Sequence, residues 1–259
     1  MTTNRLKSLW SAGTPAFGAW CSIPSPFTAE LLGAEGFDYV CIDCQHGLID
    51  YDSMWPMVQA LARTVATPLV RVPSNDAAWV GKALDAGAEG VIVPLVNTGD
   101  EAARAVAACR YPPDGVRSFG PVRSGLLLGV DPPTVNREVL CLVMIETLRA
   151  LDVADEICAT PGLDGVYIGP ADLSISMGLT PATMHESHEH ADALETIMRA
   201  CEAHGITAGI HTSGAEHARR YSEAGFRMCT LPSDSVMLRT TARRDLSVAR
   251  STNPPTVTG

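Results

Sequence analysis

The sequence predicts a (β/α)8 barrel of the TIM type, because eight short apolar segments alternate with amphipathic segments along its 259 residues. Most of the apolar segments are continuous runs, as expected for parallel strands that are covered on both faces. With 46% hydrophobic and 19% charged residues, the chain can form one sizeable core. We therefore expect one barrel domain over residues 1–259, with a polar tail that frays from about residue 250.

The predicted elements follow one another in a regular order. Several helices end at a glycine that precedes the next strand, as in DAGAEG and EAGF, a pattern typical of a glycine C-cap. An open doubly wound sheet is the alternative, but its dinucleotide-binding version lacks support because no G-x-G-x-x-G follows the first strand. Clear helices are predicted at residues 77–86, 100–108, 191–204 and 214–224. The predicted strands are residues 16–22, 38–43, 68–72, 90–96, 140–146, 165–169, 207–211 and 227–231.

Composition and charge exclude several classes of partner. The net charge of −10 disfavours nucleic acid and anionic membranes. The apolar runs are too short to span a bilayer, since Asp43, Asn97 and Glu146 interrupt them, and the amino-terminal MTTNRLKSLW lacks the apolar core of a secretion signal. Cys41, Cys141 and Cys229 lie in strand-like apolar runs, and Cys109, Cys158 and Cys201 lie in helix-like ones, as is typical of buried thiols in a reducing compartment. We therefore expect a cytoplasmic protein with no nucleic-acid or membrane partner.

Four polar residues stand at or just beyond the carboxyl ends of predicted strands. His46 follows the second strand, Arg71 ends the third, Glu146 ends the fifth, and Asp172 lies three residues past the sixth. Any one of them alone reads as a surface residue or an ion-pair partner. In a barrel, however, these strand ends converge on one face, so residues that are distant in sequence become neighbours. The four together predict an active site at that face.

The residue types indicate the chemistry of this site. Two carboxylates, Glu146 and Asp172, without a nearby cysteine or histidine in the sequence suit a hard, oxygen-preferring divalent ion such as Mg²⁺ or Mn²⁺. A 2-oxo acid can fill the open coordination positions, and the metal then acts as a Lewis acid that stabilises an enolate. Arg71 can stabilise the same oxyanion. His46 is the natural general base, because a histidine side chain titrates near neutral pH.

Other polar residues carry weaker signals. His211 ends the seventh strand and faces the same mouth, so substrate contact and packing remain equally open roles for it. The histidines of MHESHEH predict a solvated loop or helix start rather than a zinc site, because their spacing is mixed. Lys82 falls in a predicted helix and no predicted strand contains a lysine, which disfavours imine chemistry.

Six segments together resemble one enzyme family. GFDYVCIDCQHG, LVRVPSND, ALDAGAEGVIVPLVNT, CRYPPDGVRSFG, MIET and PGLDGVYIGPADLSISMG follow the order and spacing of the HpcH/HpaI aldolases, which are metal-dependent (class II) pyruvate aldolases of the phosphoenolpyruvate/pyruvate barrel superfamily. The resemblance covers roughly residues 5–245. It implies a divalent metal cofactor (Mg²⁺, Mn²⁺ or Co²⁺), a 2-oxo acid and an aldehyde as small-molecule partners, and a homo-oligomer, in this family a hexamer.

The resemblance also implies roles for individual residues. Glu146 and Asp172 correspond to the metal ligands, His46 to the catalytic base, and Arg71 to the arginine that steadies the pyruvate enolate. The backbone amides that receive the pyruvate carboxylate in the family correspond to Gly169, Ala171 and Asp172.

One implied role conflicts with the predicted topology. Asp85 matches an aspartate that partners the catalytic histidine, yet it precedes the fourth strand and lies near the amino-terminal end of its own barrel. Asp85 could therefore reach His46 only from a neighbouring subunit, unless the local structure departs from this outline. Asp43 is the competing partner for the histidine.

Two departures from the family pattern bear on the substrate. Gln45 stands where many members have a glutamate, and Met144 stands where many have a glutamine. The predicted function is thus a metal-dependent aldolase that cleaves or forms 4-hydroxy-2-oxo acids, with pyruvate or a close 2-oxo acid such as hydroxypyruvate as the enolate-forming half. The alternatives are a metal-enolate synthase or citrate-lyase-like carbon–carbon lyase, and a non-catalytic barrel scaffold.

Overall fold

The chain folds as a closed barrel of eight parallel strands in sequential order, with β1 paired to both β2 and β8. This computed structural model describes residues 4–251, so most of the tail predicted to fray lies outside the described residues. The (β/α)8 prediction is confirmed, and the open sheet is wrong. The strands are Ala16–Cys21 (β1), Tyr39–Asp43 (β2), Thr67–Arg71 (β3), Gly90–Val93 (β4), Leu140–Ile145 (β5), Gly165–Ile168 (β6), Thr207–His211 (β7) and Met228–Ser233 (β8).

Helices connect successive strands around the outside of the barrel. Several begin at an acidic or hydroxyl residue that accepts a hydrogen bond from a first-turn amide, as Asp76 does from Ala78 and Trp79. A 3₁₀ turn also spans Pro181–Glu186. The α-helices within the described residues are Arg5–Ser11 (α1), Pro26–Ala34 (α2), Tyr51–Leu61 (α3), Ala77–Asp85 (α4), Gly99–Cys109 (α5), Ser124–Leu127 (α6), Pro132–Glu138 (α7), Leu148–Asp152 (α8), Ala154–Cys158 (α9), Pro170–Ser176 (α10), His188–Ala203 (α11), Ala215–Glu223 (α12) and Asp234–Arg250 (α13).

The hydrophobic residues form two separate cores. The larger core lies between the strands and the helices, and the smaller one fills the barrel interior with side chains such as Tyr39, Leu69, Leu140 and Tyr167. Helix α1 contributes the fully buried Leu6 to the interior core, so it closes the amino-terminal end of the barrel. The interior is therefore a packed core, and the carboxyl-terminal end is the one available for a site.

The remaining fold predictions are mostly confirmed. All eight cysteines are free and buried, and no strand of the described chain contains a lysine. None of the helices between residues 4 and 251 combines the length and apolar character that crossing a bilayer requires. His188 does begin a helix, as predicted, but the expectation of a solvated segment is wrong for His190, which is only 1% exposed because α11 packs it inward.

Candidate active site

A cavity of about 600 Å³ lies at the carboxyl ends of the strands. Six of the predicted site residues line it, namely His46, Arg71, Gly169, Ala171, Asp172 and His211. Glu146 is 2% exposed and lies just behind Gly169. The barrel therefore brings seven of the eight predicted residues to one face, and only Asp85 lies elsewhere.

Arg71 and Asp43 form a buried bidentate ion pair at the ends of β3 and β2. The register pairs these two residues directly, and Nε and Nη2 of Arg71 donate to the two carboxylate oxygens of Asp43 at 2.8 and 2.6 Å. Burial alone would raise the pKa of Asp43, but the hydrogen bonds and charge of Arg71 bring it below its ordinary value. Trp20 adds a third hydrogen bond, from Nε1 to Oδ2 at 3.1 Å. The guanidinium is thus held in one orientation at the cavity wall.

His46 is positioned through its backbone. Oδ1 of Asp43 accepts hydrogen bonds from the amides of Gln45 and His46 at 3.0 and 3.2 Å, which fixes the turn after β2. The His46 side chain is exposed in the cavity, and its imidazole has no hydrogen-bond partner among residues 4–251. Asp43, the competing partner for the histidine, therefore contacts the His46 backbone and Arg71 rather than the imidazole.

Glu146 lies close to the backbone of Gly169, and Asp172 follows Gly169 in the first turn of α10. Oε1 of Glu146 accepts a hydrogen bond from the amide of Leu95 at 2.7 Å, and a Cβ on residue 169 would lie 2.7 Å from Oε2. Asp172 lies in the first turn of α10 and is exposed. Burial raises the pKa of Glu146, the Leu95 hydrogen bond opposes this shift, and the charge of Asp172 adds to it. Only glycine at residue 169 allows this close approach.

The donor set fits a hard divalent cation. Glu146 and Asp172 supply only carboxylate oxygens, and no cluster of three or more histidine, cysteine or acidic side chains with metal-binding geometry occurs in the described chain. The two carboxylates repel each other, and the nearby cation Arg71 is already paired with Asp43. A divalent ion between them would relieve that repulsion and leave coordination positions for water and substrate.

His211 lies in the cavity wall at the end of β7. Its Nδ1 lies 3.2 Å from the hydroxyl of Tyr167, and its ring meets the Trp20 indole edge-on at 5.2 Å. Desolvation, followed by the charge of Arg71, lowers the pKa of His211 to about 4. His211 is therefore a neutral imidazole at neutral pH.

The two departures from the family pattern also occupy the site. Sδ of Met144 lies 3.9 Å from Nη1 of Arg71, so a thioether replaces a polar group beside the guanidinium. Gln45 has a buried Oε1 without a partner in the described chain. Both residues thus alter the surroundings of Arg71 and His46 without removing either side chain.

Asp85 lies outside the cavity at the end of α4. Its carboxylate accepts a hydrogen bond from Nη2 of Arg117 at 2.7 Å, and the Asp85 side chain is 30% exposed. It lines a separate cavity of about 740 Å³ together with Lys82, Arg117 and Arg123. Within one chain, Asp85 does not reach His46.

Comparisons with known proteins agree with this geometry. A sequence profile of the HpcH/HpaI aldolase/citrate lyase family matches residues 16–241. The chain belongs to this family. It is 38% identical over 249 residues to a hydroxypyruvate/pyruvate aldolase of Rhizorhabdus wittichii, covering 96% of this chain and 99% of the relative. It is 33% identical over 244 residues to a 5-keto-4-deoxy-D-glucarate aldolase of Salmonella paratyphi C, covering 93% and 94% of the two chains.

A solved structure supports the same assignment. The crystal structure of an HpcH/HpaI aldolase/citrate lyase family protein from Burkholderia cenocepacia superimposes with a TM-score of 0.89 at 33% identity, covering 96% of this chain and all of that one. The predicted family and the predicted enzyme class, a carbon–carbon lyase, are thereby confirmed. Enzymes of this family are generally metal-dependent.

Sequence reasoning missed three residues that shape the site. Trp20 contacts Arg71 and Asp43, Tyr167 contacts His211, and Leu95 holds Glu146. Trp20 and Tyr167 lie in predicted strands as ordinary apolar residues, so only barrel closure reveals their contacts. Leu95 has a positive φ of 54°, which a leucine in the sequence gives no reason to expect.

Proposed function

We propose that this protein is a divalent-metal-dependent aldolase that cleaves or forms 4-hydroxy-2-oxo acids. The enolate-forming half is pyruvate or a close 2-oxo acid such as hydroxypyruvate, and an aldehyde is the other half. The observation that carries this proposal is the cavity that combines the fixed guanidinium of Arg71, the exposed imidazole of His46 and the Asp172 carboxylate. Glu146 lies directly behind Gly169 in the wall of this cavity. The aldolase names of relatives at 33% and 38% identity support the same reaction class.

Glu146 and Asp172 would hold the metal, Mg²⁺, Mn²⁺ or Co²⁺, which when bound polarises the 2-oxo group as a Lewis acid. The first-turn amides of α10, at Ala171 and Asp172, receive the substrate carboxylate, because no side chain caps this helix. The backbone of Gly169 completes this turn, since a side chain at residue 169 would collide with Glu146.

In the cleavage direction, His46 removes the proton of the 4-hydroxyl group. The bond between C3 and C4 then breaks, the aldehyde leaves, and the electron pair moves onto the 2-oxo oxygen as the enolate forms. Arg71 faces this developing negative charge with a guanidinium that Asp43 holds in place. A proton delivered to C3 completes the release of the 2-oxo acid.

Asp85 acts in this proposal from a neighbouring subunit. The segment around its partner Arg117 exposes Phe119, Val122 and Leu126 by 59%, 88% and 85%, an apolar surface that fits a second copy of the chain. Such a copy would bring Asp85 to His46 in a homo-oligomer, a hexamer by family resemblance. The eight free, buried cysteines fit the reducing interior of the cytoplasm as its location.

The primary test measures pyruvate release from a 4-hydroxy-2-oxo acid. Treatment with EDTA should abolish release, and Mg²⁺, Mn²⁺ or Co²⁺ should restore it. Pyruvate and hydroxypyruvate, each screened with Mn²⁺ against a panel of aldehydes, should identify the substrate pair. Full activity in chelator would show that the metal assignment is wrong.

A mixing experiment tests the role of Asp85. His46→Ala and Asp85→Ala variants should each be inactive, and a mixed oligomer should regain about a quarter of wild-type activity, because about one site in four then combines both native residues. Failure of mixed oligomers to regain activity would place Asp85 outside the active site.

The family description also includes citrate lyase, which favours one second candidate. A synthase or citrate-lyase-like enzyme would use the same enolate chemistry on another acceptor. Turnover of an acyl thioester or a 2-oxo acid acceptor, in the absence of aldehyde turnover, would identify this alternative.

A further inference from the structure

A chain of hydroxyl groups crosses the barrel interior and ends at His211. The Tyr39 hydroxyl lies 2.7 Å from Oγ1 of Thr230, which lies 2.5 Å from the Tyr167 hydroxyl, which in turn lies 3.2 Å from Nδ1 of His211. Tyr39, Tyr167 and Thr230 are all 0% exposed. Three strands, β2, β8 and β6, thus supply one continuous hydrogen-bonded path to the cavity.

The direction of donation along this path is fixed by its buried end. The Tyr39 hydroxyl has Thr230 as its hydrogen-bond partner and no other within residues 4–251. If His211 donated to Tyr167, then Tyr167 would donate to Thr230 and Thr230 to Tyr39. The hydrogen of the Tyr39 hydroxyl would then have no acceptor. A buried donor without a partner disfavours that order by roughly tenfold or more. Tyr39 therefore donates to Thr230, Thr230 to Tyr167, and Tyr167 to His211.

This order determines the tautomer of His211. Because Nδ1 accepts the Tyr167 hydrogen bond, the proton of the neutral imidazole resides on Nε2. Nε2 has no protein partner in the described chain and is not among its buried unpartnered atoms, so it faces the cavity that His211 lines. The low pKa of His211 keeps the ring neutral at physiological pH. His211 is thus a fixed donor and cannot act as a base.

We infer that Nε2–H of His211 selects aldehydes that carry an oxygen substituent, such as a hydroxyl group. This inference rests on the proposed function, in which the metal, Arg71 and the α10 amides already account for the oxygens of the 2-oxo acid. The aldehyde half then occupies the side of the cavity formed by the ends of β7 and β8. Ser213, Ser233 and Ser235 also line that side. A hydrogen-bond donor placed there binds an acceptor on the substrate. When an apolar aldehyde binds instead, the donor is left without a partner.

The tautomer can be measured without any enzymatic turnover. In ¹⁵N-histidine-labelled protein at neutral pH, the ring nitrogen shifts of His211 should show a proton on Nε2, and His211→Phe assigns the signal by its loss. Tyr167→Phe removes the hydroxyl that donates to Nδ1 and should give a mixture of tautomers. Tyr111→Phe, which removes a buried hydroxyl outside the path, should change nothing. A proton on Nδ1 in the wild-type protein would overturn the inference.

The selectivity is measured with two aldehydes that differ by one hydroxyl group. With pyruvate and Mn²⁺, the ratio of kcat/KM for glycolaldehyde over acetaldehyde should fall about tenfold in His211→Phe, which keeps an aromatic ring beside Trp20 but removes the donor. An unchanged ratio would overturn the selective role. Absence of aldol product with both aldehydes in the wild-type enzyme would instead overturn the proposed function and with it the selectivity, while the tautomer would still be decided by NMR.

Discussion

Gly169→Ala is the sharpest probe of the proposed metal site. The glycine lies between β6 and α10 with φ −93°, a value that alanine also adopts, so the substitution carries no left-handed backbone penalty. The new methyl group would lie 2.7 Å from Oε2 of Glu146 and 3.1 Å from Cε of Met144. The substitution therefore acts on the carboxylate rather than on the backbone.

The size of the effect follows from these distances. Non-bonded heavy atoms prefer separations of about 3.5 Å, so the Glu146 carboxylate or the turn has to move by several tenths of an ångström. Ligand geometry has to hold within about 0.5 Å, and disturbing the support of a ligand typically costs about 10–100-fold in metal affinity. We expect Mn²⁺ affinity to fall by at least about tenfold, or about 1.4 kcal/mol. Overpacking should lower the free energy of unfolding of the metal-free protein by about 1–3 kcal/mol.

The assay is a Mn²⁺ titration followed by EPR or calorimetry, together with urea unfolding of the metal-free protein. Gly214→Ala is the matched control, because Gly214 also precedes a helix after a strand but a Cβ there would meet nothing within 4 Å. The control should bind Mn²⁺ as the wild type does. Wild-type Mn²⁺ affinity in Gly169→Ala would refute the assignment of Glu146 as a ligand.

Three further predictions concern the residues around the cavity. Arg71→Ala should abolish both aldol cleavage and the exchange of pyruvate methyl protons seen by NMR in D₂O, and persistent proton exchange would show that the role assigned to Arg71 is wrong. The same substitution should lower the free energy of unfolding by about 3–5 kcal/mol, because Asp43 is left buried without its partner. The pKa of Asp43 is below its ordinary value of 3.8, so its stabilisation is complete above that pH and is lost as the pH falls through the lower folded value. In urea unfolding between pH 2 and 6, the free energy of unfolding of Asp43→Asn should therefore fall less steeply with decreasing pH than that of the wild type. An unchanged pH dependence would count against the lowered pKa of Asp43. His190→Leu should raise KM for the 2-oxo acid about tenfold, since Nε2–H of His190 donates to the Pro170 carbonyl at 3.2 Å at the start of α10. His190→Gln keeps a hydrogen-bond donor and should restore KM. Equal defects in both variants would indicate that His190 has a packing role alone.

The sequence predicted the barrel and most of the site because both depend on local patterns. Continuous apolar runs identify buried parallel strands, and a polar residue at the end of such a run identifies the active face. This reasoning placed His46, Arg71, Glu146 and Asp172 on the same side of the molecule, as the structure does. It needed no knowledge of which strands are neighbours.

What the sequence did not predict depends on register and closure. Asp43 ends β2 and Arg71 ends β3, and their pairing follows only when the register of the two strands is known. The contacts of Tyr39 and Tyr167 with Thr230 require the barrel to close, because they join β2, β6 and β8 across its interior. The role proposed for Asp85 requires a second subunit, which no pattern within one chain can locate.

Leu95 has a consequence for following events at the site experimentally. A leucine with φ 54° is disfavoured by about 1–2 kcal/mol, and the residue is 54% exposed. Two hydrogen bonds hold this backbone, one from its amide to Glu146 and one from the Asn97 side chain to its carbonyl. The amide proton of Leu95 should therefore exchange with solvent at a rate that depends on the state of the Glu146 carboxylate. A single backbone amide thus provides an unlabelled reporter of ion binding within the folded protein.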